Sequence, residues 1–149
     1  MARCLQFQLA ADKLAVREAR LRVRELGDLP ARTAADAELV VSELVANALL
    51  HARLEPGAPI DVALVRERDR LVIEVDDHGS FSGRPRSRSG MGLRVLDALC
   101  PDWSAKSGQV SASLAIADRH DAAHAPPRVA ESLARPRFPA RRWLRRDAS

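Results

Sequence analysis

Residues 60–76 contain two strand patterns separated by a short polar turn, and this feature constrains the fold most. Residues 60–67 and 71–76 are rich in Val, Ile and Leu, and the polar residues 68–70 connect them. Apolar runs of this length that are bounded by polar turn residues are typical of strands joined by a tight turn. The chain must therefore form a sheet. Its other segments must supply the remaining strands and the elements that pack on the apolar face of the sheet.

The first part of the chain predicts one strand and one helix. Residues 3–10 alternate apolar and polar side chains weakly, which favours an opening strand. Asp12 is placed to cap a helix that continues to about Glu25. We expect a partly amphipathic stripe on this helix, formed by Leu14, Ala15, Ala19, Leu21 and Val23. Gly27 and Pro30 predict that the helix ends before them.

A longer helix, a shorter helix and a final strand complete the pattern. Residues 33–52 predict a strong helix, in which Thr33 and Asp36 form an approximate capping box. Residues 91–99 predict the shorter helix, and residues 109–117 predict the last strand. The order β-α-α-β-β-loop-α-β predicts an α/β fold. We expect a two-layer sandwich in which helices cover one face of a mixed, mostly antiparallel sheet.

The net charge of the chain is concentrated in its last segment. Residues 118–149 hold eight arginines against four acidic residues, which accounts for the whole formal net charge of +4. We therefore expect residues 1–117 to form one domain, followed by a basic Pro/Arg-rich tail that is disordered or loosely docked. Direct nucleic-acid binding is not expected, because a charge-neutral domain with 3% aromatic residues has no platform for stacking bases.

No apolar segment of the sequence is long enough for a membrane span of roughly 18–20 residues. The first residues also lack the apolar core of a signal peptide, so the protein is expected to be cytoplasmic and not bound to a membrane. Cys4 and Cys100 are too few and too unpatterned for a disulfide framework or a zinc site. We expect both to be isolated structural thiols.

Three polar residues form a ridge along the longer helix. Glu43, Asn47 and His51 follow one another at intervals of four, so each lies about 40° around the helix axis from the last. Asn is a poor helix former, and its presence among alanines and leucines indicates either a structural hydrogen bond or a contact with a ligand. The residues alone leave both interpretations open.

Two further segments place acids or glycines at the end of one element or the start of another. The strand at 71–76 leads into Asp77 and Gly79, where the acid could accept a hydrogen bond from the exocyclic amine of adenine; a plain turn also explains these residues. Gly90 and Gly92 stand at the start of the shorter helix, after several arginines. This arrangement fits a phosphate at a helix N-terminus, or a flexible loop with a helix cap.

Taken together, these segments resemble the Bergerat-fold, or histidine kinase-like, ATPases of the gyrase, chaperone, sensor-kinase and mismatch-repair superfamily. The shared order is a helix with Glu-x-x-x-Asn, a strand followed by Asp-x-Gly, and Gly-x-Gly before a helix, within roughly residues 1–117. The stretches VVSELVANALLHA and RSGMGL are most similar to the small anti-sigma-factor serine kinases. This resemblance implies an ATP-dependent serine/threonine kinase with an anti-sigma-factor antagonist and a sigma factor as partners. It also implies a possible homodimer.

The resemblance also assigns roles to individual residues. It implies that Glu43 polarises the attacking hydroxyl and that Asn47 holds Mg²⁺ against the phosphates of ATP, in keeping with the oxygen ligands that Mg²⁺ prefers. It implies that Asp77 accepts the adenine amine, with Gly79 beside the base. The resemblance also implies that the phosphates contact the lid, which is the loop before the shorter helix, and the start of that helix. The residues concerned are Arg88, Gly90, Gly92 and Leu93. His51 falls where the family often has His, and packing explains it at least as well as catalysis.

Two departures from the family pattern bear on whether ATP is turned over, more than on whether it is bound. The loop after the strand runs Asp77-His78-Gly79-Ser80-Phe81 and lacks a second glycine, and the lid at 80–89 is short. The alternative to a kinase is therefore a catalytically weak or inactive nucleotide-binding module that acts by sequestering a partner protein.

Overall fold

The computed structural model describes residues 3–51, 54–79, 91–106 and 108–116, which form five strands and three helices. In chain order the elements are β1 (Arg3–Ala10), α1 (Ala15–Glu25), α2 (Ala31–His51), β2 (Pro59–Arg66), β3 (Arg70–Asp76), α3 (Met91–Leu99), β4 (Ser104–Lys106) and β5 (Gln109–Ala115). The predicted order of elements is confirmed, with β4 as an addition. Its three residues are too few to give a periodic signal.

The five strands form one sheet with the order β1-β2-β3-β5-β4, and every described pairing is antiparallel. In the register, Leu64 in β2 lies beside Ile73 in β3, which lies beside Ala112 in β5. These side chains are buried in the same core as α2, so the helices lie on this face of the sheet. The predicted two-layer α/β sandwich is confirmed.

The helices cover the sheet through apolar faces of different sizes. α2 packs against β3, β5 and α3, and four large aliphatic residues are buried along it: Val40, Val41, Leu44 and Val45. α1 packs on α2 through Ala15, Ala19 and Val23. The small alanines let the two helix backbones approach closely. α2 is therefore the element on which the rest of the helical layer is built.

The start of α1 and its exposed face differ in part from the prediction. The helix begins at Ala15, and its N-cap residue is Leu14 and not the predicted Asp12. Asp12 instead stabilises the turn that leads into the helix, where its Oδ1 atom accepts the N–H groups of Leu14 at 2.7 Å and Ala15 at 3.1 Å. Leu14 and Leu21 are 54% and 46% exposed, and the prediction that they face the core was wrong. Apolar character alone does not reveal which face of a short helix is covered.

The start of α2 also differs. The helix begins at Ala31, and the carbonyl oxygen of Pro30 accepts the N–H of Ala34 at 2.9 Å. Thr33 lies inside the first turn, where it is buried, so the capping box predicted for Thr33 and Asp36 was wrong. Proline has a fixed backbone angle that suits a helix start, and this preference outweighs the Thr signal here.

The described helices include none with the length and apolar character needed to cross a membrane. The predicted tail at 118–149 lies outside the described residues, as does the boundary at residue 117.

Candidate functional site

A cleft opens beside α2, at the ends of β3, β4 and β5. It encloses about 430 Å³ of space open to solvent. Much of its wall is apolar and is formed by Leu44, Ala48, Val75, Ala105 and Val110. A cleft with an apolar wall and a few polar groups has the composition that is typical of sites for small organic ligands.

Asn47 supplies a polar group to this cleft from α2. Its neighbours on the helix face, Leu44 and Ala48, are the apolar residues of the same wall. Asn47 is only 6% exposed, and its Nδ2 atom has no hydrogen-bond partner among the described residues. Leaving a buried amide unpaired costs about 1–3 kcal/mol. This geometry favours a contact with a ligand over the structural hydrogen bond that the sequence left open.

Asp77 supplies a second polar group from the sheet side of the cleft, directly after the last residue of β3. Its Oδ1 atom accepts the N–H of Gly79 at 2.7 Å, which leaves Oδ2 available for a donor from a ligand. Burial raises the pKa of the Asp77 carboxyl above its ordinary value; the Gly79 N–H partly opposes this shift, and the nearby charge of Asp76 adds to it. A half-buried carboxylate of this kind suits a ligand amine.

Gly108 lies in the connection between β4 and β5 and fixes the turn that carries Asp77. Its carbonyl oxygen accepts the N–H of Asp77 at 3.1 Å, and its φ is +81°. A Cβ atom at this position would stand 2.5 Å from the Gly79 oxygen and 2.7 Å from Asp77 Oδ1. Gly108 is not among the residues predicted for the site; the available signal in the sequence was a glycine between two closely spaced strands.

The same turn is held by a buried acid on β2. Asp61 has a side chain that is 1% exposed, and its Oδ1 atom accepts a hydrogen bond from Gln8 Nε2 at 2.9 Å. Its Oδ2 atom makes a short hydrogen bond with Nε2 of His78. His78 has a φ of +56°, and its N–H donates to Asp76 Oδ1 at 2.8 Å. This pair could not be predicted from the sequence, because nothing local to Asp61 indicates which turn it meets.

Of the three ridge residues on α2, Asn47 is the one found among the described residues that line the cleft. Glu43 is half-buried one turn before Asn47, and it is not among the described residues that line the cleft. His51 is the last residue of α2, and its side chain lies outside the description.

The predicted lid at 80–89 lies outside the described residues. Arg88 and Gly90 lie outside the described residues. Gly92 and Leu93 belong to the first turn of α3, and the helix packs against α2. Of the predicted site residues, the described structure therefore brings Asn47 and Asp77 to one cleft, with Gly79 next to Asp77 and against Gly108.

Asn47 is the residue of this cleft that the sequence predicts to hold a divalent cation. The described residues contain no group of three or more His, Cys, Asp and Glu that could enclose a metal ion. Mg²⁺ often takes only one or two protein oxygens and completes its shell with water and substrate phosphates. The carboxamide oxygen of the buried Asn47 fits such a site.

Comparison with known proteins gives a family and a fold. The family model described as histidine kinase-like ATPase domain matches residues 9–116. Among solved structures, the fold is similar to the crystal structure of the RsbU and RsbW domains of Rv1364c from Mycobacterium tuberculosis, with a TM-score of 0.57 and 24% identity. The match covers 76% of this chain and 32% of that chain, so this protein spans about a third of its length. No curated protein matches.

Proposed function

Because the chain belongs to the histidine kinase-like ATPase domain family, we propose that it binds ATP and Mg²⁺ in the cleft and phosphorylates a serine or threonine of an anti-sigma-factor antagonist. The observation that carries this proposal is the buried side chain of Asn47, whose Nδ2 atom has no hydrogen-bond partner among the described residues, in a cleft that Asp77 also lines. The stretches VVSELVANALLHA and RSGMGL supply the anti-sigma kinase assignment within the family.

The adenine end of the nucleotide is assigned to the sheet side of the cleft. Oδ2 of Asp77 accepts a hydrogen bond from the 6-amino group of adenine, while Oδ1 stays bonded to Gly79. The apolar wall around Leu44 and Val75 covers the faces of the base. A hydrogen bond from a neutral donor to a buried carboxylate is worth about 1.5–3 kcal/mol, which is enough to select an amine-bearing base.

The phosphate end is assigned to α2 and to the start of α3. Asn47 holds Mg²⁺ through its carboxamide oxygen, and the ion, when bound, neutralises the charge of the phosphates. The N-terminus of α3, with Gly92 and Leu93, presents backbone N–H groups to the phosphates, and Arg88 and Gly90 belong to the same proposed contact region.

Glu43 is the proposed base of the transfer step. It stands one helical turn before Asn47, which is about 6 Å of helical rise. The hydroxyl oxygen of the acceptor residue attacks the terminal phosphorus, its proton passes to the Glu43 carboxylate, and ADP leaves with the electrons of the broken P–O bond. Positioning and charge neutralisation supply most of the acceleration in such reactions.

The proposed partners are two proteins. The phosphoacceptor is an anti-sigma-factor antagonist, and the second partner is a sigma factor that the kinase sequesters when unphosphorylated antagonist is scarce. Both interactions would take place in the cytoplasm, and a homodimer is the proposed assembly.

Phosphate transfer from radiolabelled ATP to purified candidate antagonists tests this function. We expect label on a serine or threonine with the wild-type protein, and loss of transfer with Glu43→Gln while ATP affinity is kept. Glu38→Gln is the matched control, because Glu38 lies on the same helix and pairs with Arg24 at 2.8 Å. That variant should still transfer phosphate.

Two outcomes would contradict the kinase assignment. If ATP binds but no candidate antagonist is ever labelled, the alternative regulatory module without turnover replaces the kinase. If transfer continues in Glu43→Gln at the wild-type rate, Glu43 is not the base.

A further inference from the structure

The burial of an acidic residue at position 61 is not explained by a contribution to stability. Its side chain is 1% exposed, and the register places it between Gln8 in β1 and Asp76 in β3. A carboxylate loses much of its hydration when it is buried, and apolar residues of similar size often replace buried ionic groups without loss of stability. Its two oxygens are bonded to Gln8 and to His78, so the carboxylate connects the sheet to the turn after β3.

His78 is the central residue of that turn and is held in an unfavourable backbone region. Its φ of +56° is uncommon for a residue that has a side chain. Two contacts hold it there: its N–H donates to Asp76, and its imidazole is bonded to Asp61. The imidazole contact comes from a different strand, and it therefore fixes the turn relative to the sheet.

His78 stands between Asp77, which meets the cleft, and Gly79, which is bonded to Asp77. Asp77 lines the cleft and Gly79 bonds to the Asp77 carboxylate at 2.7 Å. A rotation of the turn about His78 would change the direction of the Asp77 carboxylate. Gly108 supports the turn through its carbonyl oxygen, and the contact between Asp61 and His78 supports it from β2.

We propose that Asp61 and His78 are positioning residues for adenine recognition: the buried carboxylate of Asp61 holds the imidazole of His78, which aims Asp77 at the 6-amino group. This inference rests on the proposed function, because it requires ATP in the cleft. It gives a role in base selection to two residues that do not themselves touch the nucleotide.

The test compares two nucleotides in calorimetric titrations of the full chain. Purine riboside triphosphate lacks the 6-amino group, so the ratio of its Kd to that of ATP reports the contact made by Asp77. We expect the wild-type ratio to be about tenfold or more, as for one hydrogen bond to a charged group. Asp61→Asn and His78→Asn should bring the ratio close to one, mainly by weakening ATP. Asn tolerates a positive φ, so His78→Asn removes the imidazole and keeps the turn accessible.

Asp69→Asn is the matched control, because Asp69 is exposed in the turn at the other end of β3. It should keep the wild-type ratio. Since Asp61 and His78 act as one unit, the double variant should lose no more selectivity than either single variant. A purely structural role would lower the melting temperature and leave the ratio of the folded protein unchanged.

The outcomes separate this inference from the proposed function. If wild-type protein binds ATP selectively and the folded Asp61→Asn or His78→Asn variant keeps the wild-type ratio, the positioning role is overturned and the ATP site stands. If wild-type protein has no affinity for ATP, the proposed function fails and this inference fails with it.

Discussion

The backbone N–H of Asp77 donates a 3.1 Å hydrogen bond to the carbonyl oxygen of Gly108, which ties the end of β3 to the connection between β4 and β5. The strands β3 and β5 are direct neighbours in the sheet, so this contact continues their pairing beyond the last ladder position, Asp76 beside Gln109. The carboxylate proposed to bind adenine therefore owes its position to a glycine in a distant segment of the chain.

Gly108→Ala should disturb this contact and weaken nucleotide binding. The new Cβ would stand 2.5 Å from the Gly79 oxygen, so the turn must move, and the positive φ adds strain of about 1–3 kcal/mol. Gly57→Ala is the control: Gly57 has the same φ of +81°, but nothing lies within 4 Å of an added Cβ. Both variants should lower the melting temperature, and only Gly108→Ala should weaken ATP binding by about tenfold or more. Equal ATP affinities in the two variants would contradict this account.

Asn47→Leu should abolish ATP binding without lowering the stability of the free protein. The substitution removes a buried amide whose Nδ2 atom has no partner among the described residues, so the free protein should be as stable as wild type or more stable by up to about 3 kcal/mol. Binding of ATP in the presence of Mg²⁺ should be lost. Thermal unfolding and titration calorimetry measure the two effects.

Ser42→Ala on the same helix is the control for Asn47→Leu. The Ser42 hydroxyl donates to the Glu38 carbonyl oxygen at 2.6 Å and is not among the described residues that line the cleft. This variant should keep wild-type ATP affinity. A marked loss of stability in Asn47→Leu, with ATP affinity retained, would show that Asn47 is a structural residue.

Much of this architecture could be predicted from local patterns. The hairpin of β2 and β3 and the long helix α2 follow from apolar periodicity, and Asn47 and Asp77 stand out as polar residues at positions that periodicity leaves unexplained. The structure then brings both to one cleft. The predictions of the hairpin and of α2 succeeded because each depends on residues close together in the chain.

The parts that could not be predicted depend on contacts between distant segments. Gly108 matters because another turn packs where its side chain would be, and Asp61 matters because His78 reaches it from a different element. Leu14 and Leu21 have the apolarity of core residues, yet the other elements of the fold do not cover them. Sequence periodicity identifies a face of a helix or strand but not the neighbour that packs on it.

ATP binding should weaken in acid at a higher pH than an ordinary aspartate would require. Burial raises the pKa of Asp77 above its ordinary value of 3.8, and only the ionised carboxylate accepts the adenine amine without competition from its own proton. Affinity is thus complete above the raised pKa and is lost as the pH falls through it. Titrations between about pH 4 and about pH 8 measure this.

Asp77→Asn is the control for the loss of ATP affinity at low pH. The ATP phosphates become protonated in the same way with this variant, but the variant has no carboxyl at position 77 to titrate. Its affinity should change less between neutral and acid pH than that of wild type. In the free protein the sign is opposite: stability contributed by protonated Asp77 is present below its ordinary pKa and is lost as the pH rises through the raised value. If ATP affinity depends on pH in the same way in wild type and in Asp77→Asn, Asp77 is not the residue that accepts the adenine amine.

The two cysteines should differ sharply in reactivity. Cys100 is fully buried, and its burial, with the charge of Asp36, raises the pKa of its thiol to about 12, so almost no reactive thiolate exists near pH 8. Cys4 is exposed on β1. Alkylation of native protein followed by mass spectrometry should find one adduct, on Cys4, with Cys100 reacting only in denaturant. Comparable modification of Cys100 in the native state would show that the end of α3 does not pack as described.

A crystal structure with a non-hydrolysable ATP analogue and Mg²⁺ would show whether the cleft beside α2 is the nucleotide site. The account predicts one nucleotide in the cleft, with its 6-amino nitrogen about 3 Å from the Asp77 carboxylate and Mg²⁺ about 2.1 Å from the carboxamide oxygen of Asn47. An analogue bound elsewhere, or bound in the cleft with neither Asn47 nor Asp77 in contact with it or its metal ion, would contradict the account.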